Sequence, residues 1–272
     1  MVARAPIGIF DSGVGGLTVA AAIKQALPSE RLLYFGDAAH IPYGDRSLRE
    51  VRAFTAAIVR AVLSKGCKLI VIACNTASAA ALRHVREAYP MVVFVGMEPA
   101  VKPAAERSRS HVVGVIATQA TFQGELFESV LERFAQGTRV IERPCPGLVQ
   151  AIEAGDLDSP GTERMLRGWL EPMLAEGMDE LVLACTHYPL VRSLIERICG
   201  PEVEVIDPAP AVARQVKRLL HERGLAASEG NGSFQTFTSG EPAQMLPVLR
   251  LLDLPDDGVA RAFWENGVLT LP

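Results

Sequence analysis

An α/β architecture follows from how this chain spaces its apolar residues. Short β-branched runs alternate with longer segments whose apolar residues recur every three or four positions, the pattern of mainly parallel strands crossed by helices. Two of the runs are near copies. KLIVIACNTAS (Lys68 to Ser78) and ELVLACTHYPL (Glu180 to Leu190) each pass through Ala into a cysteine and then into a polar step where a helix can begin. A strand ending in a thiol, present in both halves of the chain, suggests two acid/base groups facing one substrate from opposite sides. Inversion at a carbon centre requires that arrangement.

The pattern predicts strands at Ile7–Phe10, Leu32–Phe35, Leu69–Ala73, Val92–Val95, Val112–Ile116, Arg139–Glu142, Glu180–Ala184, Val203–Ile206 and Phe234–Phe237. Helices are expected at Leu17–Ala26, Leu48–Lys65, Ala79–Ala88, Gln123–Phe134, Glu163–Glu176 and Leu190–Ile198. Pro99 and Pro103 break the pattern after the fourth strand, and Pro208 and Pro210 break it after the eighth. Residues 98–207 have the makings of a second small sheet, whereas 208–272 hold too little for a core of their own. The expected division is therefore a discontinuous domain, 1–97 plus 208–272, and a continuous one, 98–207. Gly224–Ser233 reads as an exposed connection.

Composition excludes several classes of function. Of 272 residues, 49% are hydrophobic and 21% charged, an ordinary globular balance, and the net charge of −4 lacks the concentrated Lys and Arg that nucleic acid demands. The start, MVARAPIGIFDSG, does not read as a secretion signal, and no run approaches about 18 apolar residues, so a soluble cytoplasmic protein with no membrane partner is expected. Five cysteines without a C-x-x-C pair read as reduced thiols, not as a zinc site or a disulfide framework.

The candidates for chemistry lie where strands end, because ligands of open α/β sheets bind at the carboxyl ends. In GIFDSGVGGLTV, Asp11 points into that crevice, while Gly13, Gly15 and Gly16 read as tight-turn residues before a helix. In YFGDAAHIPYG, the Pro42-Tyr43-Gly44 turn offers backbone N–H groups and a phenol to a carboxylate, or is a structural turn with a packed Tyr. Cys74 precedes Asn75, Thr76 and Ser78, which favour helix starts, and a helix start lowers a thiol pKa. Cys185 has Thr186 beside it and His187 two residues on, close enough in sequence to assist proton transfer. Thr118 and Thr121 either bond a substrate or cap a helix. Glu153 reads as a helical carboxylate that spacing alone does not bring to Cys185. Cys67, Cys145 and Cys199 read as inert.

Taken together, IGIFDSGVGGLTV, YFGDAAHIPYG, ACNTAS, GVIATQAT, ELVLACTHYPL and VIDPAPAVA resemble, in order, the motifs of glutamate racemases in the cofactor-independent Asp/Glu racemase superfamily. The resemblance implies two similar α/β domains with the active site in the cleft between them, and interconversion of L- and D-glutamate without metal or cofactor, supplying D-glutamate for peptidoglycan. It implies that Cys74 acts on D-glutamate and Cys185 on L-glutamate in a 1,1-proton transfer. Asp11 would assist the first thiol and hold the ammonium, and His187 with Glu153 would assist the second. Ser12, Tyr43, Gly44, Asn75, Thr76 and Thr186 match substrate-binding positions, and Asp37 matches a carboxylate near the first thiol. Ala38 and His40 depart from the family, which commonly has Thr and often Arg there. Relatives are often dimers, so a homodimer is expected. Aspartate as substrate, or an added role in binding DNA gyrase, are the alternatives that the resemblance leaves.

Overall fold

The computed structural model describes residues 2–227, 230 and 232–272; three residues of the expected Gly224–Ser233 connection, Ser228, Glu229 and Asn231, lie outside them. In chain order the elements are β1 (Ile7–Asp11), α1 (Leu17–Ala26), β2 (Leu32–Gly36), α2 (Leu48–Ser64), β3 (Leu69–Ile72), α3 (Asn75–Ala88), β4 (Val93–Gly96), α4 (Val101–Arg107), β5 (Val112–Ala117), α5 (Gln119–Phe122), α6 (Glu125–Phe134), β6 (Arg139–Pro144), α7 (Leu148–Glu153), α8 (Pro160–Ala175), β7 (Glu180–Ala184), α9 (Arg192–Cys199), β8 (Glu204–Ile206), α10 (Ala209–Glu222), β9 (Phe234–Thr238), α11 (Leu246–Leu251), β10 (Ala260–Arg261), β11 (Phe263–Glu265) and β12 (Val268–Thr270).

Two parallel sheets organise them. The first runs β10-β9-β2-β1-β3-β4 and the second β6-β5-β7-β8, while β11 and β12 form a separate antiparallel hairpin. β1, β2, β3 and β7 are buried throughout, which is why they read as nearly unbroken apolar runs. Alternation assigns their side chains to opposite faces. Ile7, Ile9, Tyr34 and Val71 pack under α1 and α10, and Phe10, Leu33, Phe35, Ile70, Ile72 and Cys74 pack under α2 and α3. In the second sheet Leu181, Leu183 and Cys185 share one core with α7, α8 and α9, and Val113, Val115 and Val182 share the other with α4 and α6. The two cysteines therefore stand in similar places, Cys74 two residues past β3 and Cys185 one past β7, each backed by a different core.

Several expectations change. Pro208 and Pro210 do not break the pattern but open α10, and Pro103 lies in the first turn of α4, where a missing N–H costs nothing. The helix expected over 123–134 starts at Glu125 behind the N-cap Gly124, and a separate short helix, α5, precedes it. Asn75 and Thr76 lie inside α3, and the N-cap is Cys74 itself, whose sulfur accepts the Ala77 N–H at 3.4 Å. The C-terminal segment returns to the first sheet, with β9 beside β2 in parallel register and α10 packed near α1.

Candidate active site

In both sheets the chain starts on a central strand, steps to one neighbour, and then crosses to the other: β1 to β2 to β3, and β5 to β6 to β7. That reversal opens a crevice at the strands' carboxyl ends. Asp11 ends β1 and Cys74 follows β3; Thr118 follows β5 and Cys185 follows β7. A single cavity between the sheets is lined by Ser12, Pro42, Tyr43, Gly44, Cys74, Asn75, Thr76, Thr118, Val149, Cys185, Thr186 and His187. Its volume, about 10 Å³, is roughly room for one water. An adjoining cavity of about 100 Å³ shares Pro42, Gly44, Thr118 and Val149 with it, and Gln150 reaches across there to Asp45 at 3.3 Å. The cavity of about 400 Å³ beside Arg86, Glu98 and Lys102 contains none of the candidates.

Asp11 is fully buried, and the start of α1 grips it: the N–H groups of Gly13 and Gly16 donate to one carboxylate oxygen at 3.3 and 2.9 Å. The Thr186 hydroxyl donates to the other at 3.2 Å from the opposite sheet. None of Gly13, Gly15 and Gly16 has positive φ, so turn geometry is not their reason. A Cβ on Gly15 would stand 2.5 Å from Nδ1 of His187 and 2.7 Å from its backbone nitrogen, and one on Gly16 would stand 2.5 Å from the Asp11 Cβ. Gly15 is a gap through which the two sheets approach, and Gly16 leaves room for the Asp11 side chain within its own sheet.

The thiols differ in their surroundings. Burial pushes the Cys74 thiol up, and the nearby Asp11 carboxylate pushes the same way. The Ala77 N–H and Ser12 pull it down by less, so the thiolate-favouring setting expected at the start of α3 is outweighed. Cys185 lies 3.8 Å from Nδ1 of His187, whose Nε2 is 2.6 Å from the Glu153 carboxylate. Burial would depress the His187 ring, but Cys185 and Glu153 together hold it well above the usual histidine value. The same Glu153 oxygen accepts the Val14 N–H at 2.8 Å, so α7 touches both sheets. Sequence separation concealed this contact; the family resemblance named the residue.

Thr76, Thr118 and Thr121 form a triangle of hydroxyls, with separations of 2.9, 3.2 and 2.9 Å, that links α3 of one sheet to α5 of the other. Thr118 also caps α5, the helix-cap reading of its sequence. Thr121 is buried beside the cavity without lining it. The Tyr43 phenol, 1% exposed, donates to Asp37 at 2.6 Å and is packed as in a structural turn, while Pro42, Tyr43 and Gly44 also line the cavity. Both polar atoms of the Asn75 side chain are buried without a partner, an arrangement native proteins rarely leave unused. Val149 lines the site beside Pro42, and Tyr34 donates to the Gly13 carbonyl at 2.7 Å; nothing in the sequence marked Val149 or Tyr34.

Comparison with known proteins agrees. The family model for Asp/Glu/Hydantoin racemase matches residues 15–216. A glutamate racemase of Roseiflexus sp. (strain RS-1) is 49% identical over 259 residues, covering 94% of this chain and 95% of its own. The crystal structure of glutamate racemase isoform RacE1 from Bacillus anthracis superposes with a TM-score of 0.87 at 32% identity, covering 97% of this chain and 99% of that one. Glutamate racemase from Francisella tularensis subsp. tularensis SCHU S4, solved in complex with D-glutamate, gives 0.83 at 30% identity, covering 94% and 97%. Shared sequence and shared architecture along nearly the whole length thus lead to one conclusion: the chain belongs to the Asp/Glu/Hydantoin racemase family.

Proposed function

We propose that this chain interconverts L- and D-glutamate by a two-base 1,1-proton transfer, supplying D-glutamate for peptidoglycan. The observation that carries the reading is one buried cavity lined by both thiols, each beyond a matched strand and each backed by a different core. In the L-to-D direction the Cys185 thiolate, beside a protonated His187, takes the α-proton. The Cα–H electron pair stays on the substrate and spreads into its α-carboxylate, and the Cys74 thiol delivers a proton to the opposite face. The reverse direction exchanges the two roles. One thiol and one thiolate are needed at the start, and the pressures on the two sides favour that pairing: Cys74 is pushed toward the neutral thiol, and His187 is held charged beside Cys185.

No external electron sink enters these steps, so fixed donors must meet the developing carboxylate charge. Asn75, with Thr76, Thr186 and Ser12, is assigned that task, and its unpartnered amide supports the assignment. Asp11 is assigned to hold the ammonium and assist Cys74, and Gly44, Tyr43, Thr118 and Thr121 to shape the remaining wall. We assign residues 1–97 with 208–272 to one domain and 98–207 to the other, closing over substrate. A cavity of about 10 Å³ admits no amino acid, so the domains must part to load it. The same reading makes the protein a cytoplasmic homodimer, which light scattering at one-chain mass would refute.

L-glutamate incubated with the purified, reduced protein should lose its circular dichroism, and in D2O the D-product should carry deuterium at Cα. Cys74→Ser and Cys185→Ser should each lower the rate by about a thousandfold or more. Full activity in either variant defeats the two-thiol mechanism, and faster turnover of aspartate replaces the substrate.

A further inference from the structure

The Asp37 carboxylate is fully buried and all of its bonding capacity is taken. One oxygen accepts the Tyr43 phenol at 2.6 Å and Nδ1 of His40 at 2.9 Å; the other accepts the Ser239 hydroxyl at 2.8 Å and the Trp264 indole N–H at 2.7 Å. Two oxygens with about four acceptor sites between them are then full. Asp37 does not line the cavity, whereas Tyr43 and its neighbours Pro42 and Gly44 do. Its own N–H is fixed to the carbonyl of Asp11 at 2.9 Å. His40 is stacked on Phe54 with centroids 4.0 Å apart and meets Trp264 edge-on at 4.8 Å, so the aromatic surroundings are packed as well.

From this geometry we infer that Asp37 handles no protons and is instead an anchor through which Trp264 and Ser239, at the far C-terminal end of the chain, position the Pro42-Tyr43-Gly44 wall of the substrate cavity. The residues belong to four separate stretches: the loop after β2, Phe54 of α2, the residue following β9, and β11. Neither Trp264 nor Ser239 lines the thiol cavity. They are positioning residues, and their effect reaches substrate through Asp37 and the Tyr43 hydroxyl, with the Ser239 hydroxyl also accepting the Ala39 N–H at 3.0 Å within the same loop. The inference rests on the glutamate racemase reading for its kinetic test.

Trp264→Phe deletes the indole N–H while keeping an aromatic ring, and Ser239→Ala deletes the hydroxyl; either suffices if the other fails to fold. Each should raise KM for glutamate by about 3- to 10-fold with kcat changed less than about twofold. In a Tyr43→Phe background, where the link is already cut, the same substitutions should change KM less than about twofold. Unaltered KM in both single variants, or undiminished effects in the Tyr43→Phe background, overturns the inference. Alkylation of Cys74 by iodoacetamide in the unliganded protein, followed by mass spectrometry, gives a readout that does not depend on racemisation. It should quicken by a similar factor when the wall loosens, and an unchanged rate in both variants counts against the anchor even if glutamate proves the wrong substrate.

Discussion

Asn75 shows how one side chain can be poor for the fold and good for the reaction. Its two polar atoms are buried and unpartnered, which costs about 1–3 kcal/mol in a closed, empty site. Asn75→Ala should therefore leave the unfolding midpoint unchanged or raise it, while lowering kcat/KM by about a hundredfold or more; calorimetry and steady-state kinetics on one preparation check both halves. Glu153 should appear in the pH profile. His187 is held above its ordinary value partly by this carboxylate, so the imidazolium form persists to higher pH than in a free histidine. Glu153→Gln keeps an oxygen toward the ring but removes the charge. His187 should then lose its proton at lower pH, and the alkaline limb of the pH-rate profile should move down. An unmoved limb would take Glu153 out of the pair. Cys74 and Cys185 were legible in the sequence because each ends a buried apolar run, but the burial that pushes Cys74 up and the pairing that holds His187 charged were not, since both come from residues distant along the chain.

At the scale of elements, all nine strands expected from the apolar runs form; for β1, β2, β3 and β7 the reason is that strands buried on both faces admit little besides apolar side chains. β11 and β12 escaped notice: each has three residues, and Phe263 and Val268 are exposed, so no apolar run marks them. α4 and α10 escaped because Pro103, Pro208 and Pro210 look like interruptions unless they fall at a helix start. The turn between β1 and α1 has the sharpest consequence. Gly15 lies against the ring and backbone of His187, and the backbone nitrogen, 2.7 Å from a would-be Cβ, cannot rotate away. Gly15→Ala should hold the turn off its partner, cost about 1–3 kcal/mol of stability and lower kcat/KM at the same time. Differential scanning calorimetry and kinetics would register both losses, and wild-type values in both would show that the contact yields freely.

For the whole molecule, alkaline pH should be the weak side. Cys67 is pushed up to about 12 by burial, and burial pushes Cys74 and Cys145 up too. Each thiol ionises near 8.5 once the chain unfolds but stays protonated in the fold, so the unfolded state sheds protons first. The associated stability is intact below about 8.5 and is lost by about 1.4 kcal/mol per thiol per pH unit as pH climbs toward the folded values. Thermal unfolding midpoints should fall steeply over this window, and a flat profile would mean that the thiols reach solvent in the folded protein. Glu153 extends the argument to movement. Its carboxylate is tied at once to His187 and, through Val14, to the opposite sheet. On the proposed opening only the Val14 strut would part: Glu153 and His187 belong to the same half and would travel together, wetted and screened, so the dry, full-strength pairing would return only when the jaws meet.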